Sequence, residues 1–205
     1  MTRPFDQMFN WPNVLTLARI ITIPLLVVVF YLPVWWAHVG AASIFAIASV
    51  TDWLDGYLAR YLKQSTKLGA FLDPVADKLM VSVALVLIVA EPTFRYVSVT
   101  SAVVAIPTLA MTIPAAIIVA REIIVSALRE WMSELGKRKS VAVSSVGKIK
   151  TAVQMLALVV LLYADNSTSA PIVFVGYILL YAAALLTIWS MFFYLKAAWV
   201  QLNTI

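Results

Sequence analysis

The sequence predicts an all-α polytopic membrane protein, with six transmembrane helices behind a short interfacial helix, all in one domain over residues 1–205. Three observations predict it. Hydrophobic residues make up 63% of the 205-residue chain and charged residues only 12%, whereas a soluble domain is roughly 45–50% apolar and about 25% charged. Mean hydropathy is +0.95. Residues 20–51, 79–90, 96–120 and 166–195 carry no charged side chain, and uncharged apolar runs longer than about 18 residues read as membrane spans.

The elements follow in chain order. Residues 1–12 mix Phe5, Met8, Phe9 and Trp11 with Arg3, Asp6 and Gln7, the pattern of a helix lying in the membrane interface. No polar mature domain follows this segment, so a cleaved signal peptide is a poor reading. Spans are then expected at 14–33, 37–60, 69–90, 97–135, 145–164 and 170–195. Leu32-Pro33, Glu91-Pro92 and Asp165-Asn166-Ser167 break them apart. Pro24, Pro107 and Pro114 are expected to kink their helices, and strands are not expected, because open sheet edges go unsatisfied in lipid. Six spans put both termini on one side. All the basic residues except Arg95 lie on or face that side, which the positive-inside rule makes the cytoplasm. Trp35, Trp36, Trp189 and Trp199 fit interfacial belts.

Composition also limits the chemistry. With no cysteine, thiolate nucleophiles and zinc–cysteine sites are excluded. The single histidine, His38, falls on the outer side, so imidazole catalysis and multi-histidine metal sites are excluded as well. The net charge of +5 belongs to membrane orientation, and no nucleic-acid partner is expected.

Four of the ten acidic residues, Asp52, Asp55, Asp73 and Asp77, fall inside the second and third spans. A charge there costs a few kcal/mol or more, so such residues mark function. Asp52, Asp55, Gly56, Ala59 and Arg60 share one helical face, as do Gly69, Asp73 and Asp77. Asp52 and Asp77 each lie eight residues from the connecting turn, roughly 12 Å deep at about 1.5 Å per residue. An antiparallel helix pair joined by 61–68 brings the four carboxylates together. They would repel one another unless hard divalent cations, Mg²⁺ or Mn²⁺ and possibly two of them, sat among them. Ion pairs with Arg60, Lys78 and Arg121 account for one or two of the four, not for all at matched depth. Gly56 and Gly69 flank the carboxylates, where a missing side chain admits a ligand to the backbone.

The pattern Asp52-x2-Asp55-Gly56-x2-Ala59-Arg60-x8-Gly69-x3-Asp73-x3-Asp77 matches the signature of the CDP-alcohol phosphotransferase family without a departure. The stretches VTDWLDGYLAR, GAFLDPVADKL and REIIVSALREWMSELGKRKSVAVSSVGKIKTAVQM extend the resemblance over essentially the whole chain, toward the bacterial members that transfer a phosphatidyl group from CDP-diacylglycerol to glycerol 3-phosphate. The resemblance implies that Asp52, Asp55, Asp73 and Asp77 hold the metals and that Asp77 is also the general base. It implies that Gly56, Arg60 and Thr66 contact the CDP moiety. Asn13 and Thr16, in Asn13-x2-Thr16-x2-Arg19, border the nucleotide. A homodimer in the bacterial inner membrane is implied too.

The carboxylate signature leaves the acceptor open among glycerol 3-phosphate, inositol phosphate, phosphatidylglycerol and serine. Residues 121–150 argue for an anionic one. Arg121 ends a 25-residue uncharged run, and Arg129, Lys137, Arg138, Lys139, Lys148 and Lys150 cluster beyond it. Arg121 and Lys148, then Arg138 and Lys150, are the expected phosphate contacts. Lys137 and Lys139 fit the positive-inside rule and lipid headgroups better. Glu122, Glu130 and Glu134 are expected to partner nearby bases. A cation transporter built on the aspartates is the rival from another class. Their confinement to one side of the spans argues against it.

Overall fold

The computed structural model describes residues 11–62, 67–99, 102–135 and 145–202. Among the described residues six α-helices carry the fold: α1 (Trp11–Phe30), α2 (Ala37–Leu62), α3 (Lys67–Ala90), α4 (Leu109–Glu134), α5 (Ser145–Tyr163) and α6 (Ala170–Leu202). A 3₁₀ turn (Pro92–Arg95) and a two-stranded antiparallel hairpin, β1 (Tyr96–Val99) and β2 (Ala102–Ala105), stand between α3 and α4. By length and apolar composition α4 and the 170–200 part of α6 are long enough to cross a membrane, and 16–30, 37–52 and 149–163 are shorter apolar stretches. Of the expected interfacial segment, residues 1–10 lie outside the described residues, and helix begins at Trp11.

The hairpin corrects two expectations at once: strands do occur, and the fourth apolar segment is not helical from residue 97. Tyr96 pairs with Ala105 and Val99 with Ala102, so two short strands lie antiparallel where the uncharged run read as the start of a span. Val97, Val99, Val103 and Val104 explain the preference, because β-branched side chains suit an extended backbone. Pro107 does not kink a helix either. It precedes α4, and its carbonyl accepts from the Ala110 amide at 2.9 Å. Proline biases Ile106 away from helical geometry and so marks the boundary. Pro24 and Pro114 do lie inside helices.

Packing follows the apolar faces. α1 packs on α2 and α3, α5 on α2 and α6, and α6 on α4. A continuous core joins Leu26, Phe30, Phe45, Met80, Leu85, Ile88, Ile118, Leu158, Leu161 and Leu180. Among the described residues α1 and α5 each pack against both aspartate helices, α2 and α3. A close-packed pair would bury several carboxylates against each other with no counter-charge. The neighbouring helices supply that counter-charge, Arg19 from α1 and Lys150 from α5.

Hydroxyls on these apolar helices turn back on their own backbone. Thr22, Ser43, Ser49, Thr112 and Thr151 each donate to the carbonyl four residues earlier, at 2.7–3.0 Å, which satisfies them without water. At the end remote from the aspartates, Tyr177 donates to the Phe94 carbonyl at 2.9 Å and Thr93 to Glu91 at 2.7 Å. There His38 packs edge-on against Phe30, far along the chain from the carboxylates.

Gly176 sets the closeness of α6 to α5. A Cβ built on it would stand 2.6 Å from Leu161 Cδ2, and Leu161 is fully buried. Gly176→Ala should therefore lower the thermal unfolding midpoint in micelles, on the order of 1–3 kcal/mol of overpacking, and Leu161→Val in the same chain should recover part of it. An unchanged midpoint for the single variant would show that this contact yields freely.

Candidate functional site

Among the described residues, Arg19, Asp52, Asp77, Lys78, Arg121, Glu122 and Lys150 gather at one end of the bundle. Burial is tolerated there because opposite charges face each other. On α1, Arg19 is 4% exposed and donates through Nη1 to Oδ1 of Asp52 on α2. Thr16, one turn earlier, is buried beside it. Asp52 follows fifteen uncharged residues of α2, and its neighbour Thr51 donates to the Ile47 carbonyl at 2.5 Å.

Asp77, on α3, lies within electrostatic reach of Asp52, Glu122, Arg19 and Lys150. It also lines a cavity of about 210 Å³ with Pro74, Lys78, Arg121, Glu122, Arg129 and Lys150. Lys78, Lys150 and Arg121 are each held by a neighbouring helix. Lys78 donates to Ser126, joining α3 to α4, and Lys150 donates to Oε1 of Glu122, joining α5 to α4. Arg121 reaches Glu122 Oε1 at 3.3 Å and Ser190 Oγ at 3.1 Å, and its guanidinium lies 5.5 Å from the centre of the Tyr194 ring. Its Nε is buried with no hydrogen-bond partner among the described residues. The cavity wall thus carries four cationic side chains and two carboxylates, a chemistry suited to an anion with more than one charge.

Of the residues expected from sequence, Asp77, Arg121 and Lys150 come together in this cavity. Asp52 and Thr16 lie on the α1–α2 side. Asn13, Asp55, Gly56, Arg60, Asp73 and Lys148 are placed by their helices alone, and Thr66 and Arg138 lie outside the described residues. Among the described residues no three carboxylates gather as a metal-binding group. Glu122 partners basic residues, as expected.

Sequence reading missed Ser126, Ser190 and Tyr194, and did not single out Lys78 or Arg129 as cavity residues. A signal was present for each set. Thr187, Ser190 and Tyr194 stand at 0, 3 and 7 on an otherwise apolar helix, and Arg121, Glu122, Val125, Ser126 and Arg129 form one face of α4.

A second hollow lies between α1 and α2. It is lined by Ala18, Arg19, Thr22, Leu25, Ile44, Ile47, Ala48 and Thr51, so it is apolar along its length and reaches Arg19 at one end.

Residues 9–189 match the CDP-alcohol phosphatidyltransferase family. The chain is 53% identical over 190 residues to proteins named CDP-diacylglycerol--glycerol-3-phosphate 3-phosphatidyltransferase from Shigella flexneri serotype 5b (strain 8401) and Escherichia coli (strain K12), covering 93% of this chain and 95% of each relative. A protein of the same name from Shigella boydii serotype 4 (strain Sb227) shows the same identity and coverage.

The Arg19–Asp52 pair generates a prediction independent of turnover. Arg19→Gln removes the cation facing Asp52, so the thermal midpoint should fall by a few degrees. Mn²⁺ should then raise the midpoint of the variant more than that of the parent, because the freed carboxylate is a hard oxygen donor. Equal metal-induced shifts would separate Asp52 from any metal site.

Proposed function

The chain belongs to the CDP-alcohol phosphatidyltransferase family, and on that premise we propose that it transfers the phosphatidyl group of CDP-diacylglycerol to glycerol 3-phosphate, giving phosphatidylglycerol phosphate and CMP. The observation that carries this reading is the cationic cavity that opens beside Asp77, with the buried Nε–H of Arg121 unfilled. A phosphorylated acceptor placed there has its phosphate among Arg121, Lys150, Lys78 and Arg129, and a hydroxyl toward the carboxylate. The names carried by the close relatives point to the same acceptor. Lys148 and Arg138 are proposed as further contacts for its phosphate.

The donor set fits a divalent metal. Carboxylate oxygens on α2 and α3, with no thiolate and no imidazole near them, are what Mg²⁺ or Mn²⁺ takes. Asp52, Asp55, Asp73 and Asp77 would hold it, as two ions. When bound, the metal supplies positive charge against the diphosphate of the donor.

The chain's own residues do the rest. Asn13, Thr16, Gly56, Arg60 and Thr66 border the cytidine nucleotide. The groove between α1 and α2 gives the lipid tails an apolar path that ends at Arg19. Asp77 takes the proton of the acceptor hydroxyl while that oxygen attacks the phosphorus bearing diacylglycerol; the bond to CMP breaks and CMP leaves with the electron pair. Position on α3, facing both the α2 carboxylate and the cavity, makes Asp77 the residue that can serve both reactants.

Association with the membrane follows from the apolar helices and the family. The finer arrangement is part of the proposal: six spans, termini and site facing the cytoplasm, in the bacterial inner membrane, as a homodimer. The positive-inside distribution of Lys and Arg supports the orientation.

CMP release by purified protein in mixed micelles with CDP-diacylglycerol and Mg²⁺ tests the reaction. Turnover is expected with glycerol 3-phosphate and not with inositol phosphate or serine. Release with another acceptor would retain the chemistry and discard the substrate, and metal flux into vesicles without CMP release would favour transport. Asp77→Asn should abolish nearly all turnover in a folded protein, and near-normal rates would remove it as the base. Arg121→Ala should raise the KM for glycerol 3-phosphate by at least tenfold, the scale of one lost charge-assisted contact of about 1.5–3 kcal/mol. A rise confined to CDP-diacylglycerol would move the acceptor elsewhere.

A further inference from the structure

Glu122 stands in the cationic cavity with no part in the proposed transfer. Its carboxylate is only 20% exposed, and through one oxygen, Oε1, it accepts from both Lys150 and Arg121. The two cations are held unequally. Arg121 has a second anchor on α6, where Ser190 accepts from Nη2 and the Tyr194 ring lies beneath the guanidinium. Ser190 is itself fixed by donating to the Thr187 carbonyl at 3.0 Å. Lys150 is 2% exposed and donates to Glu122. Arg121 is therefore in place whether or not Glu122 is charged, whereas Lys150 is turned toward α4 by Glu122.

We propose that Glu122 is an internal anion that competes with the acceptor phosphate for Lys150 and so sets how weakly the cavity holds its anion. The proposal rests on the reading of this cavity as the acceptor site. With the site empty, the carboxylate supplies the counter-charge that a buried ammonium requires. An incoming phosphate must take Lys150 from Glu122 and then sit beside a like charge, which opposes binding in ground state and transition state alike. Such an effect enters KM without raising kcat. It weakens the grip of the cavity on any phosphate, free inorganic phosphate included, and on the phosphate of the product as it leaves. Positioning and attenuation are then one property of the same carboxylate.

The proposal predicts that removing a charge from the wall tightens binding. Glu122→Gln keeps an oxygen that can accept from Lys150 and deletes only the charge. The KM for glycerol 3-phosphate and the inhibition constant for inorganic phosphate should both fall, by roughly fivefold, the scale of one like charge a few ångströms away in a partly screened site. The KM for CDP-diacylglycerol should stay as it is, and kcat should not rise. Glu122→Asp, which retains the charge but draws it back by one methylene, should fall between the parent and the Gln variant, and it serves where the Gln variant does not fold. A rise in both constants in either variant would show that Glu122 only props up its neighbours and would overturn the proposal. If inorganic phosphate fails to compete with glycerol 3-phosphate in the parent protein, the acceptor-site reading falls, and this proposal with it. If phosphate competes but neither variant moves its constant, only the role of Glu122 is refuted.

Discussion

A charge inside an apolar bundle persists only where an opposite charge meets it, and that constraint organises this molecule. Asp52 faces Arg19, Glu122 faces Lys150 and Arg121, and Arg121 also rests on the Tyr194 ring. All of these contacts except Arg121–Glu122, which lies within α4, join two different helices. The ionic residues are thus the groups that tie α1 to α2, α5 to α4 and α6 to α4 at one end of the bundle, while Leu, Ile, Phe and Met side chains do so along the rest. Among the described residues the ion pairs between helices lie at that one end, so charge and interhelical polar contact are found together there.

The arrangement divides into two sides with Asp77 between them. Toward α1 and α2 lie Arg19, Asp52, Thr16 and an apolar groove, a setting for something with a charged head and greasy tails. Toward α4, α5 and α6 lies a compact cavity lined by cations and hydroxyl groups, a setting for something small, polar and anionic. Reactants of such unlike solubility need separate approaches and a common meeting point. On the proposed reading α3 provides the meeting point, because it touches α1 as well as α4 and α5.

Much of this could be read from sequence because it rests on local pattern. Helical spacing of the aspartates, uncharged run lengths and proline positions are properties of a few neighbouring residues, and the helices α1, α2, α3, α5 and α6 follow them closely. The hairpin at 96–105 escaped because a valine-rich apolar run looks the same whether it spans lipid or folds back, and periodicity cannot separate the two. The partners of Arg121 escaped for another reason. Ser190 and Tyr194 are 69 and 73 positions away, brought near only by the packing of α4 on α6. The short connection between α2 and α3 could be read as an antiparallel pair, whereas the seat of α1 against both helices could not, because it depends on packing between segments distant in sequence.

The length of α6 carries a consequence of its own. Its 33 residues extend about 50 Å at 1.5 Å per residue, well beyond a hydrocarbon layer of about 30 Å. On the six-span reading, a helix entering that layer near Ala170 leaves it near Ser190, so Ser190 and Tyr194 stand at the seam between lipid and water. The residue they hold, Arg121, is then fixed at the depth where the dielectric changes most steeply. A polar molecule reaching it from solution need not shed its water into hydrocarbon, and an amphiphile reaching the same depth from the bilayer need not lift its tails out. The junction of two solvents becomes the reaction vessel, and the overhang of one helix sets its level.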